Sequence, residues 1–179
     1  MCKNLTVYEN FYVEQEHQFQ HVFLWRKRAR ELAANALNEV FPGNDVDVNA
    51  PLSALSIAQQ QMVEIARAVC NPDLKMLVLD EPTSSLPAEQ TKQLQEYIKM
   101  SSAKGVSYIY ISHRLKEIMY LADRIYIMQN GAEKYQCLIT ETSEEDMVQK
   151  MGSGSENNNS VISIDNIEKN EAVSVQLTH

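Results

Sequence analysis

Met76-Leu77-Val78-Leu79-Asp80-Glu81-Pro82 decides the fold. Four apolar residues in an unbroken run are short for a helix and suit a strand covered on both faces, as in a parallel sheet. Pro82 ends the strand because it has no amide to give to a ladder. Open α/β sheets bind ligands outside the carboxyl ends of their strands, so Asp80 and Glu81 stand at a candidate site. Two like charges this close are costly to bury unless a cation or hydrogen bonds compensate. Asp80 suits a Mg²⁺ contact through water, since Mg²⁺ keeps much of its hydration shell. Glu81 is then placed to polarise an attacking water. A helix start facing solvent explains one carboxylate there better than two.

The pattern continues on the C-terminal side. Pro87 suits the first turn of a helix running to about Ser101 and closed by Lys104-Gly105. Val106-Ser107-Tyr108-Ile109-Tyr110-Ile111 reads as the next strand, and Ser112-His113-Arg114 follows it. His113 therefore ends a strand on the same sheet edge as Asp80 and Glu81. A lone His is commonly structural, but one beside a carboxylate pair suits a phosphate contact. Leu115 to Ala122 reads as a short helix and Arg124 to Met128 as a strand. Asn130-Gly131 is a strong hairpin signal that pairs this strand with Lys134 to Ile139. Ser143 and Asp146 form a capping pattern for a last helix ending at Gly152. Alternating strands and helices imply a mostly parallel sheet with right-handed crossovers.

On the N-terminal side, residues 8 to 40 read as helical, with Ala33, Ala36, Leu37 and Val40 on one stripe and Pro42-Gly43 as the stop. A polar loop from Asn44 to Pro51 leads to a helix from about Ile57, with Met62, Ile65, Ala66 and Val69 on one face. Ser56 and Gln59 form an S-x-x-Q capping box, an ordinary helix start on its own. A helix start also favours anions through its first amides and its dipole.

The 179 residues are 44% hydrophobic and 22% charged, the composition of a globular chain. Sixteen Lys and Arg against 24 Asp and Glu give a net charge of −8, which offers no electrostatic footprint for nucleic acid. No apolar run approaches the roughly 20 residues of a membrane span. Cys2, Cys70 and Cys137 are odd in number and far apart, against a disulfide framework or zinc site and for a reducing cytosol. His17 and His21 have the spacing of a zinc helix, but Gln18 occupies the metalloprotease glutamate position and no third ligand is evident. Arg26-Lys27-Arg28-Arg30 reads as a solvated helix face.

Ser56 to Gln59, Leu77 to Glu81, Thr83-Ser84-Ser85-Leu86 and His113, in this order and spacing, resemble the ATP-binding cassette ATPases from about Leu5 to Gly152. Gln59-Gln60-Gln61-Met62-Val63-Glu64-Ile65-Ala66 looks most like the branch that energises importers of ribose- and galactose-type monosaccharides. The resemblance implies a partial P-loop NTPase-like α/β cassette. Residues 1–72 are the helical subdomain with the signature motif, and 73–152 the Walker B half of the core. A linker at 153–160 leads to 161–179, the opening strands of a second cassette. It further implies ATP and Mg²⁺ as cofactors, with Asp80 the metal contact and Glu81 and His113 the catalytic pair. Ser56, Ile57, Ala58 and Gln59 would face the γ-phosphate of ATP held by a partner cassette. Membrane subunits, a second cassette and, indirectly, a periplasmic or extracellular sugar-binding protein are the implied partners. The implied place is cytoplasmic, on the inner face of the membrane.

The sequence departs from the family at several positions. No G-x-x-x-x-G-K-[ST] occurs, so the phosphate-cradling loop is missing and the chain is expected to be an incomplete cassette, inactive alone. Ile57 and Ala58 replace the signature glycines, and Pro87 stands where the family has aspartate, which is expected to weaken coupling between sites. The alternative is a non-catalytic half-cassette that acts as an interaction module for a partner cassette or membrane subunit.

Overall fold

The computed structural model describes residues 1–14, 24–152 and 173–178. The helices are α1 (Val7–Glu14), α2 (Trp25–Val40), α3 (Ile57–Val69), α4 (Ala88–Ser102), α5 (Leu115–Leu121) and α6 (Glu144–Gly152). The strands are β1 (Met76–Asp80), β2 (Ser107–Ile111), β3 (Arg124–Gln129), β4 (Ala132–Leu138) and β5 (Val173–Thr178). Two compact units form, one from Met1–Leu74 with Pro82–Tyr97 and one from Lys75–Glu81 with Ile98–His179. The His17–His21 candidate, the linker at 153–160 and residues 161–172 of the expected second-cassette strands lie outside the described residues.

The first unit is helical. α2 packs against both α1 and α3. Its predicted stripe of Ala33, Ala36, Leu37 and Val40 is buried, as are Phe11 of α1 and Met62, Val63, Ile65 and Ala66 of α3. Small alanines along α2 let the neighbouring helices approach closely, while Phe11, Phe41 and Leu52 fill the remaining volume. Gly43 takes φ 73° after Pro42, a conformation open to glycine at little cost, and ends this helical run.

The second unit is a five-stranded sheet in the order β1-β2-β5-β3-β4. β1 pairs with β2 in parallel, β5 lies parallel to both β2 and β3, and only the β3–β4 hairpin is antiparallel. Asn130 at φ 53° and Gly131 at φ 77° make the left-handed pair that a tight hairpin turn needs. β4 starts at Ala132, earlier than the sequence implies. Ile127 faces Tyr135 and Met128 faces Glu133, so Lys134 is the extra residue of a bulge. Ile118, Ala122, Ile125, Ile127, Cys137 and Met147 form the core of this unit, joining α5, β3, β4 and α6.

One sequence expectation is corrected here. β1 is not covered on both faces: Met76 is 47% exposed and Val78 55%, and only Leu79 is buried. Strand alternation accounts for the pattern: Met76, Val78 and Asp80 fall on one face of β1, the exposed one, and Leu77 and Leu79 on the other. Part of the tail joins the same sheet as a strand. Val173 pairs with Ile109 and Arg124, and Val175 with Ile111 and Tyr126, so β5 fills the place between β2 and β3.

Candidate functional site

In the sheet unit, parallel register sets the geometry. Asp80 pairs with Ile111, so the residues that follow both strands emerge level at the carboxyl edge. Glu81 donates its amide to the Ile111 carbonyl at 2.9 Å and then turns out of the ladder with φ 46°, a left-handed conformation uncommon for a residue with a Cβ. That turn brings its carboxylate back to His113. Glu81 Oε1 accepts the His113 amide at 3.1 Å and lies 2.7 Å from His113 Nδ1. An ionised carboxylate only accepts, so this contact puts a hydrogen on Nδ1 and turns Nε2 away from Glu81. Glu81 Oε2 is buried and has no hydrogen-bond partner among the described residues, which is costly for a carboxylate oxygen.

Asp80 is exposed and the Glu81 side chain is 33% exposed. The cost of burying two like charges, expected from the sequence, is thereby reduced, because water reaches Asp80. An exposed carboxylate fits a water-mediated Mg²⁺ contact, since its hard oxygen can meet the hydration shell without displacing it. Among the described residues no group of three or more His, Cys, Asp and Glu converges on a metal position.

A second layer holds this edge in place, and no sequence motif pointed to it. Tyr110 OH donates to Glu117 Oε2 at 2.7 Å, and Arg114 reaches Glu117 Oε1 at 3.2 Å. Ser112 is buried and accepts the Arg114 amide at 3.0 Å. These bonds tie the β2 end to the start of α5 and fix the segment carrying His113. The available signal was weak: an acid in the first turn of α5, where the helix dipole favours it.

In the helical unit, Ser56 caps α3 as the sequence implies. Gln59 donates its amide to Ser56 Oγ at 3.2 Å, and Ser56 donates its own to Gln59 Oε1 at 3.0 Å. Gln59 Nε2 reaches Asp45 at 3.1 Å and Gln60 Nε2 the Leu55 carbonyl at 2.9 Å, so both glutamines brace the approach to the helix. Ile57 is 75% exposed at the first helical position, and Ala58 is half-buried beside it. An exposed isoleucine at a helix start gains little within the chain. Thr83 and Leu86 are buried, and the Leu86 amide bonds the Thr83 carbonyl at 3.2 Å, which shapes the turn before Pro87.

A family model described as ABC transporter matches residues 1–84. The ribose import ATP-binding protein RbsA of Lacticaseibacillus paracasei is 35% identical over 146 residues, 82% of this chain and 28% of that protein. The corresponding protein of Lactococcus lactis subsp. cremoris is 36% identical over 83% of this chain and 30% of its own length. A solved dimeric ATP-binding cassette bound to ADP and Pi superposes with a TM-score of 0.67 at 21% identity, over 78% of this chain and 59% of that one, a likeness of fold. The chain belongs to the ATP-binding cassette family. It spans under a third of the length of the curated relatives it matches. This cassette chain carries the expected mixed α/β architecture with parallel strands, and no helix among its described residues is long and apolar enough to cross a membrane.

Proposed function

We propose that this cassette chain serves as the signature and Walker B part of an ATP-binding, ATP-hydrolysing subunit of a sugar import system. The similarity to proteins named for ribose import supports the transport setting. The observation that carries the catalytic part is Glu81: one carboxylate oxygen held by His113, the other buried and without a partner, on a backbone in a strained region. Strained, incompletely satisfied polar groups at a sheet edge cluster at active sites.

In this proposal Glu81 orients and polarises the attacking water through its unpartnered oxygen. His113, fixed through Nδ1, presents Nε2 toward the terminal phosphate. Asp80 takes the Mg²⁺ contact through water. Ser56 and the helix start at Ile57, Ala58 and Gln59 face the terminal phosphate of the nucleotide held by a second cassette. Mg-ATP supplies the transferable phosphoryl group and the cation that neutralises its charge. Membrane subunits and the second cassette complete the assembly on the inner face of the membrane, a sugar-binding protein outside it delivers the sugar, and the chain alone turns over no ATP.

The test is Mg-ATP turnover by the assembled transporter. Glu81→Gln is expected to lower turnover by about 10²- to 10⁴-fold, the range of general-base help, while nucleotide binding is retained. Unchanged turnover in that variant overturns the assignment. The alternative role as a non-catalytic module predicts ATP-dependent association with a partner cassette and no effect of Glu81→Gln on turnover.

A further inference from the structure

We propose that the start of α2 is a contact site for anionic lipid headgroups. Three features of this helix start do nothing for the helix itself. Its N-cap is Leu24, which makes no side-chain capping bond where Ser, Thr, Asp or Asn would satisfy an amide. Its first turn holds no acid. Arg26, Lys27 and Arg28 are exposed there, at the end where the dipole already disfavours positive charge, and Arg30 follows one turn in. Local rules broken together at one helix start point to a role beyond holding the helix.

From the sequence alone this run is a solvated basic face; the aromatic packing adds a platform beneath it. Trp25 stacks on Tyr12 at 4.3 Å between ring centroids, with Tyr8 at 6.3 Å. Arg26 lies over the Trp25 ring and Arg30 over Tyr8, each at 4.5 Å. A guanidinium stacked by its face keeps donors at its edge, the geometry that takes phosphate. Arg30 spends its Nε on Asn49 at 2.7 Å, and the nearby Glu9 carboxylate is occupied by the Thr6 amide and hydroxyl at 2.8 and 2.7 Å. Apolar side chains accompany the cations: Leu24 is 58% exposed, and Val13, next to Tyr12 in the chain, is exposed too.

Cations, interfacial aromatics and exposed aliphatic groups together are the chemistry of a headgroup boundary. An acidic protein segment would use the cations and leave Leu24 and Val13 unexplained. Charge decides the orientation: a chain of net charge −8 is repelled by an anionic surface unless it approaches through a basic face, and residues 24–31 carry four cations against the single acid Glu31. The inference shares with the proposed function only the membrane setting; it needs neither Glu81 nor nucleotide.

Trp25 is the single tryptophan, so its emission reports on this site directly. The test mixes the full chain with phosphatidylcholine vesicles with and without phosphatidylserine, reading co-sedimentation and Trp25 fluorescence. Binding and a blue shift are expected only with phosphatidylserine, weakening as salt is raised. Arg26→Glu with Arg28→Glu is expected to lower partitioning by about tenfold or more at unchanged helicity, since each near-surface cation contributes several-fold. Leu24→Ser, a milder change, is expected to reduce the blue shift. Equal partitioning into both vesicle types, or an unaffected double variant, overturns the proposal. Binding to soluble polyglutamate without binding to vesicles also overturns it and assigns the patch to an acidic protein segment. None of these outcomes bears on the Glu81→Gln result, so the two can fail separately.

Discussion

Glu81 holds φ 46°, and the cost of a left-handed backbone for a residue with a Cβ is roughly 1–2 kcal/mol. Its Oε2 adds the penalty of a buried acceptor without a donor. Glycine relieves both, so Glu81→Gly is expected to leave the chain as stable or raise its urea midpoint, despite losing the bond to His113. Glu81→Val adds a branched Cβ to a conformation that such residues rarely adopt, and it should lower the midpoint. A Gly variant much less stable than the Val variant would show that the site is structural and not strained for a purpose. At this scale the sequence identified Asp80, Glu81 and His113 as neighbours, because strand ends in a parallel sheet share an edge. The unpartnered oxygen, the Nδ1 contact and the Tyr110–Glu117–Arg114 brace depend on side-chain directions that no spacing encodes.

The start of α1 shows how an element can carry its own pH dependence. Hydrogen bonds from the Thr6 hydroxyl and then the Thr6 amide hold the Glu9 carboxyl below its ordinary value of 4.5; burial opposes them weakly, and Arg26 and Arg30 add to the lowering. A carboxyl lowered in the folded state contributes stability that is present above the unfolded value and is lost as pH falls through the folded one. Acid unfolding followed by far-ultraviolet circular dichroism should therefore show a loss beginning near pH 4.5 that Glu9→Gln removes. An identical pH profile in that variant would exclude this carboxylate as a source. Helices and strands were otherwise well signalled. The α3 capping box, the Asn130-Gly131 turn, the Gly43 stop and the Ser143–Asp146 cap all act through residues within four positions of each other. The bulge at Lys134 was not signalled, because it depends on how β4 matches β3 across the hairpin.

Over the whole sheet unit, the least local pairing is that of β5. It lies between β2 and β3, so removing it exposes two strand edges at the centre of the sheet. A chain ending at Gly152 is expected to expose backbone amides of Ile109 to Ile111 and Ile125 to Met128 to hydrogen exchange and to aggregate at concentrations where the full chain stays dispersed. Unchanged protection of those amides would show that β2 and β3 close without β5.

By itself the sequence determined the alternation of elements, their caps and turns, the candidate residues Ser56, Asp80, Glu81 and His113, and the resemblance to the cassette family. Those features rest on short-range stereochemistry and on motifs whose members lie close along the chain. The tertiary structure alone decided that β1 is an edge strand with Met76 and Val78 open to solvent, that β5 takes the place between β2 and β3, and that Glu81 meets His113 with one oxygen left over. It also placed Trp25 against Tyr12 beneath the basic run of α2. Strand order and aromatic stacking join residues a dozen or more positions apart in the sequence, and which of them meet is set by competition among long-range pairings for the same edge or face.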